Sequence, residues 1–119
     1  MKKENVMLDK SFDFALSMIK LYKEMVAQNE YILSKQILRS GTSIGANREE
    51  ATAVISKKDF IAKMSISSKE ARETRETRYW LRLIEKSDLV EIDVKNQLND
   101  VDHIINILPA IVKNSQSKL

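Results

Sequence analysis

Gly41 and Gly45 are the only glycines in this 119-residue chain, and they stand one helical turn apart inside residues 33–55, LSKQILRSGTSIGANREEATAVI. That stretch keeps helical register. Ile37, Gly41, Ile44, Ala51 and Ile55 recur at three- and four-residue steps as one apolar or small stripe. Gln36, Ser40, Ser43, Asn47 and Glu50 form a second, polar stripe, with Arg39 beside it. A glycine inside a helix costs about 1 kcal/mol relative to alanine. Two of them on one stretch therefore predict close approach by another backbone, or a bend. With a single proline elsewhere, the chain also lacks the turn residues that a β protein uses.

The same periodicity recurs on either side. A first helix is expected over about 11–28, with Phe12, Ala15, Ile19, Tyr22 and Val26 in one line and Leu8, Leu16, Met18, Leu21 and Met25 widening it. A face that broad predicts contact with more than one neighbour. The central helix is expected over 32–55 after a short turn at Gln28-Asn29-Glu30. Ser56 or Asp59 is the expected cap of a third helix, 58–86, which aligns Phe60, Met64, Ser67, Ala71, Thr74, Leu81 and Ile84. Asp93 is the expected cap of a fourth, 93–113, carrying Val94, Leu98, Val101, Ile105, Leu108 and Val112. Pro109 is expected to kink that helix or end its regular part. Residues 114–119 read as a frayed polar tail. Four amphipathic segments with short connections predict an all-α, antiparallel up-down four-helix bundle in a single domain, 1–119.

Composition narrows the function classes. An apolar content of 43% supports a core, and the absence of cysteine removes disulfides, thiol nucleophiles and cysteine metal sites. No stretch has the apolar length of a signal peptide or a membrane span, so a cytoplasmic protein with no membrane contact is expected. The net charge of +3 is unevenly spread. Residues 56–87 carry an excess of four positive charges and residues 88–108 an excess of four negative ones, which can pair within the fold, across a subunit boundary, or face solvent separately.

Few constellations point to chemistry. His103 is the only histidine, with Asp100 and Asp102 nearby but no Glu-x-x-His spacing, so no metal site is expected. Gly41-x-x-x-Gly45 lies inside a helix and has no lysine finger, and no serine–histidine–acid set is arguable. No catalytic residue and no cofactor is expected. Gln36, Ser43, Asn47 and Glu50 are candidates for a polar network fixing the register of packed helices, with Arg39, Arg48 and Glu49 beside them. On the third helix, Arg72, Arg75, Arg78, Arg82 and Lys86 fall within about 120° of arc at 100° per residue. Such a ladder can follow a phosphate backbone, and Tyr79 or Trp80 can stack on unpaired bases. The competing reading is that Glu70, Glu73 and Glu76 neutralise these arginines as surface pairs and that Trp80 is a core or subunit-contact residue.

The run Leu33-Ser34-Lys35-Gln36 through Arg39-Ser40-Gly41-Thr42-Ser43-Ile44-Gly45-Ala46-Asn47 resembles a known family, as do residues 56–66, SKKDFIAKMSI, with Lys69-Glu70-Ala71 and Tyr79-Trp80-Leu81 following. These are the four-helix bundle proteins named after open reading frames in 23S rRNA intervening sequences. The likeness runs from about Leu8 to Lys113, and an S-I-x-x-N-x-x-E pattern falls on Ser43, Ile44, Asn47 and Glu50. It implies a bundle that assembles into a homopentameric ring and is not an enzyme. A related branch, the accessory proteins of diversity-generating retroelements, implies RNA or DNA and, by analogy only, a reverse transcriptase as partners. The family name records genomic position and not a bound ligand. Two departures stand out: Arg48 puts a charge where members carry an apolar residue, and Glu73-Thr74-Arg75 is repeated at once as Glu76-Thr77-Arg78. Three added helical residues rotate the downstream face by about 60°.

The resulting expectation is a scaffold that binds nucleic acid or ribonucleoprotein through Arg39, Lys57, Lys58, Arg72, Arg75, Arg82 and Lys86. The alternative is a structural or protein-interaction module with no nucleic-acid contact.

Overall fold

Among the described residues, the first and last connections between helices are short and each is closed by a polar side chain. Asn29 adopts a left-handed conformation with φ 64°, and the amides of Gln28, Asn29 and Glu30 bond back to the carbonyls of Met25 and Val26. That closes the first helix as asparagine, tolerant of positive φ, commonly does. The Glu30 carboxylate then accepts from the amides of Ile32, Leu33 and Ser34 at 3.1, 3.1 and 2.7 Å. Three otherwise orphaned donors are satisfied by one anion at the positive end of the second helix. Asp88, with φ 54°, ends the third helix, and the Asp93 carboxylate accepts from Lys95 N at 2.9 Å to start the fourth.

The structure, a computed structural model, describes residues 2–54 and 60–117, and side chains within 5–54 and 60–109. It contains α1 (Lys2–Ala27), α2 (Leu33–Ala53), α3 (Phe60–Ser87) and α4 (Lys95–Ser117), with no strand among the described residues. Each helix packs on its sequence neighbours, and α1 closes the circuit against α4. The four make a compact four-helix bundle of 49 × 20 × 19 Å. The Gln28 side chain bonds both backbone groups of Glu91, donating to its carbonyl at 3.2 Å and accepting from its amide at 2.7 Å, so the α1–α2 turn is tied to the α3–α4 connection.

The core is Met7, Phe14, Met18, Leu21 and Met25 of α1, Ile37 and Ile44 of α2, Leu81 and Ile84 of α3, and Val94, Val101, Ile104 and Leu108, with Val90 at the α3–α4 connection. On α1, Met18, Leu21 and Met25 come from the widening set of the sequence reading, whereas Leu16 of that set is exposed and Met7 and Phe14 stood in neither line. Phe12 and Ile19, from the expected central line, are turned outward. Helix α1 also starts at Lys2, nine residues before Ser11. Ser11 is buried mid-helix, its hydroxyl donating to the Leu8 carbonyl at 3.2 Å. Helix α4 runs past Pro109, which sits on an exposed position where water can serve the carbonyl it strands. The glycines mark close approach. A methyl group at Gly41 would overlap the Met18 side chain, and one at Gly45 would lie 3.2 Å from the Ser11 carbonyl oxygen. The expected caps Ser56 and Asp59 lie outside the described residues, as does Ile55.

Candidate nucleic-acid interface

Helix α3 sorts its side chains by a strict three-four alternation. Ser67, Glu70, Thr74, Thr77, Leu81 and Ile84 are the buried positions, so one face is fixed against the bundle over six consecutive contacts. The opposite face carries Arg72, Arg75, Tyr79, Arg82 and Lys86, all exposed. Both copies of Glu-Thr-Arg fit the alternation because Thr74 and Thr77 are themselves three apart. The Thr77 hydroxyl meets the Ser40 hydroxyl of α2 at 2.9 Å, and Thr74 returns its own to the Glu70 carbonyl at 2.7 Å.

The two glutamates of the repeat decide the charge of that outer face. Glu73 and Glu76 point along α3 toward α2, where Arg39 contacts both, at 3.4 Å for Glu73. Gln36 holds the same guanidinium through its Oε1 at 3.0 and 3.3 Å. Glu76 also accepts from the Trp80 indole N–H at 2.8 Å. With both carboxylates engaged, Arg72, Arg75 and Arg82 have no carboxylate within ion-pairing distance among the described residues. Lys86 lies 3.7 Å from its sequence neighbour Glu85, a contact with little energetic weight at that exposure. Arg78, at the edge of the sector, bonds Asp102 of α4 at 2.8 Å, joining the basic and acidic segments within one chain.

Arg39 thus sits at the α2–α3 seam, half exposed and paired, and apart from the unpaired ladder. Lys57 and Lys58 lie outside the described residues. The candidate polar network is not one cluster. Gln36 serves Arg39, and Ser43 donates to the Arg39 carbonyl at 2.6 Å. Asn47 is buried, its amide nitrogen without a partner among the described residues, and Glu50 is exposed. The buried charge is elsewhere. Arg48 and Glu70 are both fully enclosed, with Nη1 and Oε1 3.6 Å apart and no hydrogen bond between them. Burial pushes the Glu70 carboxyl up from 4.5 to about 7, against the opposing pull of Arg48. The charge at position 48 on an otherwise apolar stripe was the sequence signal; nothing in sequence named Glu70 as its partner.

Two other places hold polar or apolar surface. A groove of about 160 Å³ between α1 and α4 is lined by Lys10, Asp13, Asp100 and His103. No group of three metal-ligating side chains occurs among the described residues. A second groove, about 230 Å³, runs between α1 and α2 over Leu8, Phe12, Ala15, Thr42, Gly45 and Ala46. No helix among the described residues is long and apolar enough to cross a membrane.

The sequence profile of the 23S rRNA-intervening sequence proteins matches residues 3–110. A crystal structure of a protein with unknown function from the S23 ribosomal protein family of Bacteroides thetaiotaomicron VPI-5482 shares 43% identity, covering 93% of this chain and 98% of that one, with a TM-score of 0.81. No curated protein matches the chain.

Proposed function

Because this chain belongs to the 23S rRNA-intervening sequence protein family, we propose that it acts in the cytoplasm as a non-enzymatic, self-associating scaffold that binds nucleic acid through the outer face of α3. The observation that carries this is the exposed column of Arg72, Arg75 and Arg82, none with a carboxylate at ion-pairing distance among the described residues, while Glu73 and Glu76 beside it are turned to Arg39. Surface arginines without a carboxylate partner present a column of positive charge, and phosphate is the ligand such a column favours. In this reading the helices run up and down in turn, and copies assemble into a closed ring, a pentamer on the family pattern.

A second reading has its own support. Phe12, Leu16 and Ile19 are exposed on α1 beside the α1–α2 groove, which suits a module whose only partners are proteins, its own copies included. Binding of labelled RNA and DNA as a function of salt separates the two. The first predicts affinity that falls steeply with salt, with a slope reduced by about two when Arg72→Ala and Arg75→Ala are combined. Absence of binding at low salt leaves only the second.

A further inference from the structure

Resting on that nucleic-acid reading, we propose that the strand taken by α3 is unpaired and that Tyr79 is the platform on which one of its bases stacks. Tyr79 is 56% exposed, in the same outward sector as the unpaired arginines. At 1.5 Å per residue it lies about 6 Å along the axis from Arg75 and about 4.5 Å from Arg82, so cations flank the ring on both sides. Its position is braced. The ring meets Trp80 in a T-shaped contact, centroids 5.3 Å apart and planes at 67°. Trp80 packs on the core and donates to Glu76, and Glu76 is held by Arg39 of α2. One side of the ring is thus supported from inside the fold while the rest faces out.

Arginines alone bind phosphate whether or not the bases are paired. A ring set among them discriminates, because only an unpaired base has a π face to offer, and every base has one. The expected ligand is therefore a single strand of RNA or DNA read with little sequence preference. Trp80, the larger aromatic, supports the platform and does not form it.

The test uses fluorescence anisotropy with a labelled 20-nucleotide oligo(dT), an oligo(rU) of equal length and a 20-base-pair duplex. The proteins are the unaltered chain, Tyr79→Ala, Tyr79→Phe and the Arg72→Ala/Arg75→Ala pair. The expected result is at least about tenfold tighter binding of either single strand than of the duplex. Tyr79→Ala should then weaken both single strands by about five- to a hundredfold with an unchanged salt slope. Its effect on the duplex should be under about twofold, and Tyr79→Phe should retain binding. Equal affinity for strand and duplex, with no effect of Tyr79→Ala, overturns the stacking role; if the arginine pair still weakens binding in that case, the basic face itself survives. No binding of any oligonucleotide by the unaltered chain removes both ideas. A change in native particle mass on Tyr79→Ala assigns the ring to contact between copies and also overturns the proposal.

Discussion

The Arg48 guanidinium and the Glu70 carboxyl face each other with no exposure to water, 3.6 Å apart and without hydrogen-bond geometry. An ion pair in that state is a poor source of stability, since the loss of hydration rivals the attraction. Its value lies in register: a cation on α2 and an acid on α3 meet only if the two helices are aligned in one way. The proton inventory makes this testable. Folded Glu70 titrates near 7 and the unfolded carboxyl near 4.5, so between those values the folded chain keeps a proton that the unfolded chain has released. Its contribution is therefore full below about 4.5 and is lost as pH rises through about 7. Urea denaturation at pH 5 and pH 8 should show the unaltered chain losing up to about 3 kcal/mol relative to Glu70→Gln, in which this dependence is absent. Equal pH dependence in the two would mean that Glu70 is ionised throughout. Replacing the pair by Arg48→Met with Glu70→Leu should leave stability at pH 8 unchanged or raised by about 1–4 kcal/mol, measured the same way.

At the scale of the elements, the α1–α2 seam depends on what Gly41 lacks. Alanine there would gain about 1 kcal/mol of helix propensity, yet its methyl would overlap Met18, which is fully buried. Overpacking of this kind costs about 1–3 kcal/mol. Gly41→Ala should therefore be neutral to destabilising by about 2 kcal/mol in the unaltered chain. In a Met18→Ala background the same change should become stabilising, a sign reversal that a double-mutant cycle by thermal or urea unfolding reads directly. This seam was legible beforehand: two glycines one turn apart in helical register announce close approach, although not that Met18 and Ser11 are the partners. The helix count, the turn at Asn29 and the cap at Asp93 were legible for similar local reasons. The face of α1 was not. Its apolar arc is so wide that periodicity cannot say which part faces the bundle, and Met7, Phe14 and Met18 took the core while Phe12, Leu16 and Ile19 did not. The site was half legible. The arginine column follows from 100° steps, but the turning of Glu73 and Glu76 toward Arg39 depends on which helix lies alongside, which spacing within α3 does not encode. The doubled Glu-Thr-Arg, which by rotation alone would misplace Trp80, instead falls into the three-four alternation of Thr74, Thr77 and Leu81.

For the whole molecule, the surface left over by one bundle sets the next level of structure. Phe12 at 60% exposure, Leu16 at 51% and Ile19 at 38% lie at i, i+4 and i+7 on one flank of α1, continuous with the α1–α2 groove floored by Gly45 and Ala46. A contiguous apolar flank beside a shallow groove suits burial against another copy. The charge asymmetry between residues 56–87 and 88–108 offers a second way for copies to meet, but Arg78 and Asp102 already spend part of it within the chain. The two modes respond oppositely to salt: apolar contact persists, whereas contact between basic and acidic faces is screened. The apolar flank is expected to dominate. Native mass measurement should give a particle of several 13.7 kDa subunits, five on the ring reading, and it should survive about 0.5 M salt even as oligonucleotide binding disappears. Phe12→Ser with Leu16→Ser should release single subunits whose helical circular dichroism is unchanged, because neither side chain belongs to the core. Should dissociation instead follow added salt and ignore those two serines, the subunits are joined by their charged faces, and the outer face of α3 is then occupied by a neighbouring copy and closed to nucleic acid.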